Sequence, residues 1–254
     1  MSKHISVVTI AFAMSLLVGV GCTQQQNQIG NQEVDKVYKS ILSVDDTGNT
    51  QFNKGELQNN LDLLEKDLLS EEEKAGLLFM REEEKLAHDI YDALYEEWGQ
   101  KIFDNISNSE QTHTDAVKTL IDRYGLEDPI VQAETGVFDN PDLQKLYDDL
   151  IKQSNISLKE AFIIGAIVEE VDILDLEKYL EQNDNEDIEL VYNNLLRGSR
   201  NHLRAFVKNI ENNGDEYVEK YLSAESYLEI IDGDIERGGV GHGNNSGRRN
   251  GKGR

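Results

Sequence analysis

The chain has 254 residues, with 49 Asp and Glu against 25 Lys and Arg, a formal net charge of −24. That sign excludes nucleic acid as a partner, because phosphate binding needs clustered cations. A hydrophobic content of 38% and two prolines suit a largely helical, polar-surfaced protein, long enough for one sizeable domain with appendages.

Residues 1–21 read as a signal peptide of the lipoprotein type. Lys3 and His4 precede the apolar run "ISVVTIAFAMSLLVGVG", which is short for a stable membrane span. It ends in small residues before Cys22, the single cysteine of the chain. With no disulfide partner available, Cys22 is expected to be lipidated, and the protein to be secreted and lipid-anchored in the cell envelope, periplasmic or on the outer surface. Residues 22–69 read as a polar tether and N-terminal segment, with a weak helical stretch near "VDKVYKSIL" and a turn at "DDTGNT". The oxygen-bearing residues of that turn do not match the spacing of an EF-hand.

Four long helices follow. The first is expected from the capping box Ser70/Glu73 to Trp98, stopped by Gly99, and the second from Phe103 to Tyr124, stopped by Gly125. A long crossover then carries a short helix, "PDLQKLYDDLIKQ". The third helix is expected from Ser157 to about Gln182, and the fourth from Glu186 to Asn213 before Gly214. An extra C-terminal helix, "EYVEKYLSAESYLEII", completes a domain at 70–235, and no strand-type alternation stands out. Residues 236–254 form a Gly/Arg-rich tail expected to be disordered. The fold class is all-α, a four-helix bundle with a long crossover.

Carboxylates on inward stripes of such a bundle need a reason. The first helix offers Glu84, with Ala87 and Tyr91 along one face; the second offers Glu110 and His113, three residues apart on another. The second half repeats the arrangement in order. "EEVDILDLEKYL" aligns with "EEKLAHDIYDAL", setting Glu170 against Glu84, and "GSRNHLRAF" aligns with "SEQTHTDAV", setting His202 against His113. The chain reads as a duplicated helix pair.

These residues carry a resemblance. Glu-x-x-Ala-x-x-x-Tyr followed by Glu-x-x-His resembles the ferritin-like di-iron proteins of the rubrerythrin and ferritin group. "REEEKLAHDIYDALYEEWG", "IFDNISNSEQTH" and "LLRGSRNHLRAF" more closely resemble the bacterial and archaeal ferritin-like family termed domain of unknown function 2202. The resemblance implies a ferritin-like bundle holding two metals, iron or manganese, with Glu84, Glu110, His113, Glu170 and His202 as ligands. Tyr91 is a candidate hydrogen-bond donor to one of the carboxylates. One position departs from the pattern: Ser199 stands where the fourth helix should offer a Glu three residues before His202. Glu169 and Asp172, on a neighbouring face, and Glu177, about 10 Å along the axis from Glu170, are candidate substitutes.

Two functions fit these residues. One is iron, oxygen or peroxide chemistry, as an oxidoreductase of peroxidase or ferroxidase type or as a store. The other is a non-catalytic helical envelope lipoprotein with a degenerate metal site, acting as a binding or structural module. The expected partners are metal ions and a membrane reached through the lipid anchor. A homodimer is compatible with the sequence.

Overall fold

Ser70 and Glu73 start the first long helix by satisfying each other's backbone. Ser70 Oγ accepts the Glu73 N–H, and the Glu73 carboxylate accepts the Ser70 N–H at 2.8 Å. In this computed structural model, which describes residues 41–45, 49–130 and 134–237, that helix is preceded by a small N-terminal unit. Strands β1 (Leu42–Val44) and β2 (Thr50–Phe52) pair antiparallel, and helix α1 (Lys54–Leu61) follows. Then come α2 (Glu71–Trp98), α3 (Lys101–Tyr124), α4 (Pro141–Ser154), α5 (Leu158–Glu181), α6 (Glu186–Asn212) and α7 (Ala224–Asp232). The protein is predominantly helical, and none of the helices among the described residues is long and apolar enough to cross a membrane.

Left-handed glycines end two of the long helices. Gly99 (φ 64°) stops α2 and Gly125 (φ 69°) stops α3, a conformation glycine adopts without a Cβ penalty. The short link at Gly99–Gln100 folds α3 back along α2, and the link at 182–185 does the same for α5 and α6. The two pairs then meet, α2 against α5 and α3 against α6. Tyr91, Phe103, Phe206 and Tyr192 fill the shared interior and are fully buried. The Phe103 ring stacks on Phe162 at 5.3 Å.

The crossover between the pairs is tied to α2 by polar groups. Lys85 Nζ lies 2.5 Å from Asp89 and donates to the Glu134 carbonyl at 2.9 Å. Gly136 N–H donates to Asp89, and Asp139 N–H to Glu82 at 2.6 Å. Three charged residues of the "REEEKLAHD" run thus serve the crossover, on the side of α2 away from the interior.

Three boundaries differ from the sequence expectation. Residues 41–61, assigned to the polar N-terminal segment, form the β1–β2 hairpin and α1, and put Ile41, Leu42, Leu57 and Leu61 into the core. Of the expected "DDTGNT" turn, Asp45 N–H donates to the Asn49 carbonyl at 3.0 Å, and residues 46–48 lie outside the described residues. The expected C-terminal helix begins only at Ala224, capped by Ser223, because the backbone N–H groups of Lys220, Tyr221 and Leu222 all bind the Glu170 carboxylate. Glu236, assigned to the tail, pairs with Arg200 and Arg204. The signal peptide, Cys22, most of the weak helical stretch and the remainder of the tail lie outside the described residues.

Candidate metal centre

The motif "SEQTH" divides its labour around the α3 helix. Glu110 and His113, one turn apart, face the interior, and both are essentially inaccessible to solvent. Ser109 and Thr112, on the adjoining face, hold the hairpin. Ser109 Oγ accepts the Thr50 N–H at 2.9 Å, and Thr112 Oγ1 accepts the Phe52 N–H at 3.2 Å.

Two acid–imidazole triads meet at Glu110. On one side His113 Nδ1 lies 2.7 Å from Glu110 Oε2 and 3.3 Å from Glu84 Oε2. On the other, His202 Nδ1 lies 2.7 Å from Glu110 Oε1 and 3.6 Å from Glu169 Oε2. The donor atoms within each triad all fall within 4.8 Å of one another. The two imidazoles stack, centroids 5.4 Å apart and planes 20° from parallel. On their far side both Nε2 atoms contact one hydroxyl, Thr50 Oγ1, at 3.0 and 3.1 Å. Gly198 on α6 makes room for this: a Cβ there would stand 2.6 Å from His113 Cε1.

The short Nδ1–carboxylate approaches are at ion-pair distance but lack hydrogen-bond alignment. Both Glu84 oxygens, Glu110 Oε1 and both Nδ1 atoms are buried, and none has a partner at hydrogen-bonding geometry among the described residues. Buried polar atoms are normally paired, so five such orphans in two acid–imidazole groups mark a place that could hold a metal ion. Carboxylate and imidazole together suit iron or manganese.

Burial and neighbouring charges shift the ionisable groups of the site in both directions. Burial pushes the Glu84 carboxyl up to about 8, with Glu110 reinforcing the effect and His113 opposing it. Burial also raises Glu169, and it raises Asp172 strongly, where the charges of Glu84, Glu169 and Glu110 add to it. Glu110 moves the other way. Burial opposes its ionisation, but His113 and His202 outweigh burial and hold it far below the usual carboxylate range. Burial works against charging the imidazoles too, yet Glu110 and Glu169 lift His202 to about 9, and Glu110 and Glu84 lift His113.

Of the residues singled out from sequence, Glu84, Glu110, His113 and His202 are brought together. Glu170 is not. Its carboxylate points to another face of α5, away from the triads, where it accepts Tyr217 O–H at 2.7 Å and the amides of residues 220–222. Of the two substitutes on the neighbouring face, one belongs to a triad and the other does not. Glu169 joins the His202 triad, and Asp172, one turn on, takes a hydrogen bond from Ser199. Glu177 is solvent-exposed and apart. The correction is a rotation of about 100°, one residue along a helix, hidden by the adjacent "EE". Tyr91 donates to Glu169 Oε1 at 2.5 Å and lies 3.1 Å from the Gly165 carbonyl. Arg200 and Arg204 do not reach the acids; they clamp Glu236. Sequence reasoning missed Thr50, which a polar turn-flanking segment gives no reason to place beside two histidines.

A family model described as "Uncharacterized protein domain (DUF2202)" matches residues 73–234. The chain belongs to the DUF2202 family. All the acids and histidines of the two triads lie inside the DUF2202 segment, whereas Thr50 precedes it. Uncharacterized protein MJ0754 of Methanocaldococcus jannaschii is 51% identical over 175 residues, which cover 69% of this chain and 95% of that protein. The crystal structure of hypothetical protein MJ0754 from Methanococcus jannaschii DSM 2661 matches with a TM-score of 0.67 at 50% identity, covering 68% of this chain and 99% of that one.

Proposed function

We propose that this DUF2202 protein is a ferritin-like four-helix-bundle metalloprotein that holds two iron or manganese ions. One ion would be held by Glu84, Glu110 and His113, the other by Glu110, Glu169 and His202, with Glu110 shared. The observation that carries the reading is the pair of buried triads whose Nδ1 and carboxylate atoms approach without hydrogen-bond alignment. Bound iron would supply one-electron redox chemistry and coordination positions for oxygen or peroxide. The chain's own residues orient the donors and exclude water. Tyr91 steadies Glu169, Ser199 steadies Asp172, and the aromatic layer of Phe103 and Phe206 closes the interior beside Tyr91.

Ser199, in place of the expected carboxylate, favoured a degenerate site. That objection weakens because Asp172, raised above the ordinary range by burial and its acidic neighbours, takes the Ser199 hydrogen bond. An envelope location through lipidated Cys22 is proposed on the sequence of residues 1–22 alone. The test of the metal reading is ion content. The purified protein, stripped and reconstituted anaerobically with ferrous iron or manganese, should bind about two ions per chain. Uptake no greater than that of the double variant Glu110→Ala/His113→Ala would overturn the reading.

A further inference from the structure

We propose that Thr50 is a positioning residue of the metal centre: by accepting the Nε2–H of both His113 and His202, its hydroxyl keeps both Nδ1 atoms turned toward Glu110. The inference rests on the metal reading above and adds to it a residue from outside the family segment.

A hydroxyl has two lone pairs and one proton. Thr50 Oγ1 lies within hydrogen-bonding distance of two ring nitrogens, so it either accepts twice or donates to one ring and accepts from the other. The opposite edges of the rings decide between these. Both Nδ1 atoms approach the same carboxylate at 2.7 Å. To bind a cation a ring nitrogen must be bare, so a neutral ligand imidazole carries its proton on the other nitrogen. A ring that received the Thr50 proton at Nε2 would hold its own at Nδ1 and could not ligate. When both rings are instead protonated and charged, Nε2 again carries hydrogen. In either state one oxygen accepts from both rings, and its two lone pairs match the two donors.

The side chain is built to hold that place. Thr50 is fully buried. Its own N–H donates to Ser109 Oγ, next to Glu110 in the chain, so its backbone is referenced to the helix that carries the shared ligand. Phe52 sets its ring edge-on to His113 at 5.5 Å, and Gly198, lacking a Cβ, leaves the room that the His113 imidazole occupies. The β-branch limits χ1 and so limits where the hydroxyl can turn.

Three proteins test this: wild type, Thr50→Val, which removes the hydroxyl at nearly constant shape, and Thr50→Ser, which restores it. Thr112→Val is a fourth, since it loosens β2 from α3 without touching either imidazole. In the metal-free wild type, long-range ¹H–¹⁵N spectra should show slowly exchanging Nε2 protons on both His113 and His202. Those protons should persist in Thr50→Ser and Thr112→Val and exchange freely in Thr50→Val. Manganese titration should show affinity about 10- to 100-fold weaker for both ions in Thr50→Val, and close to wild type in the other two. Fast-exchanging Nε2 protons in the wild type overturn the proposal without any variant, even if Thr50→Val fails to fold. Equal affinities in Thr50→Val and wild type also overturn it, while leaving the metal reading intact. A wild-type chain that takes up neither manganese nor ferrous iron defeats the metal reading, and the Nε2 protons still decide the role of Thr50.

Discussion

Adjacent residues on α5 carry opposite duties. Glu170 is a structural acceptor. Removing it leaves the Tyr217 hydroxyl and the amides of residues 220–222 without a partner, at a cost of about 1–3 kcal/mol for a buried group. Glu169 is a liability until a cation neutralises it, since burial holds its pKa above the ordinary range. The two substitutions should therefore separate stability from binding. Glu170→Ala is expected to lower the melting temperature and keep both ions. Glu169→Gln, which retains an acceptor for Tyr91, should lose one ion of about two without lowering the melting temperature of the metal-free protein. Metal content and melting curves of the same two preparations check this, and a swapped pattern would reverse the assignment.

At the scale of elements, what was legible had local causes. The long helices could be read because Ser70/Glu73, Ser157, Gly99 and Gly125 mark their ends, and Glu110/His113 could be paired because three residues on a helix share a face. The inward side of α5 was ambiguous, since "EE" fits either register and the stripe through Gly165, Glu169, Asp172 and Leu176 was interrupted by polar side chains. Residues 216–223 have helix-forming composition, but their amides are drawn to a carboxylate some fifty positions earlier. Thr50 depends on contacts 63 and 152 residues away, which no local pattern encodes. Gly198 belongs at this scale as well, since it sets how closely α6 passes α3. In Gly198→Ala the new methyl would stand 2.6 Å from His113 Cε1. The helix itself gains about 1 kcal/mol of propensity, so an expected fall from about two ions to about one, measured by metal analysis, would report the displaced imidazole and not a weakened helix.

For the whole molecule the proton inventory sets the response to pH. Glu84 rises from 4.5 to about 8 and His202 from 6.5 to about 9 on folding without metal. Groups raised in this way make the folded state hold protons that the unfolded chain has released. Their contribution is complete below the unfolded values and is lost as pH climbs through 8 and 9. Glu110, shifted downward, acts in the opposite sense: its contribution is present above the ordinary carboxylate range and is lost as pH falls into acid. The metal-free protein should therefore melt at progressively lower temperature between about pH 6 and pH 9. On the metal reading manganese would have to displace the same protons, so its binding should tighten as pH rises, and the gap between loaded and stripped melting temperatures should widen over that range. Calorimetry with and without chelator measures it; a gap that narrows with pH would contradict the protonation pattern.

The hairpin and the ions also constrain each other. If Thr50 fixes the rings that hold the cations, then the cations in turn fix the hairpin, because a coupling free energy acts equally in both directions. On that reading, the occupancy of a site deep between the helices is felt in the β1–β2 hairpin, through one oxygen atom.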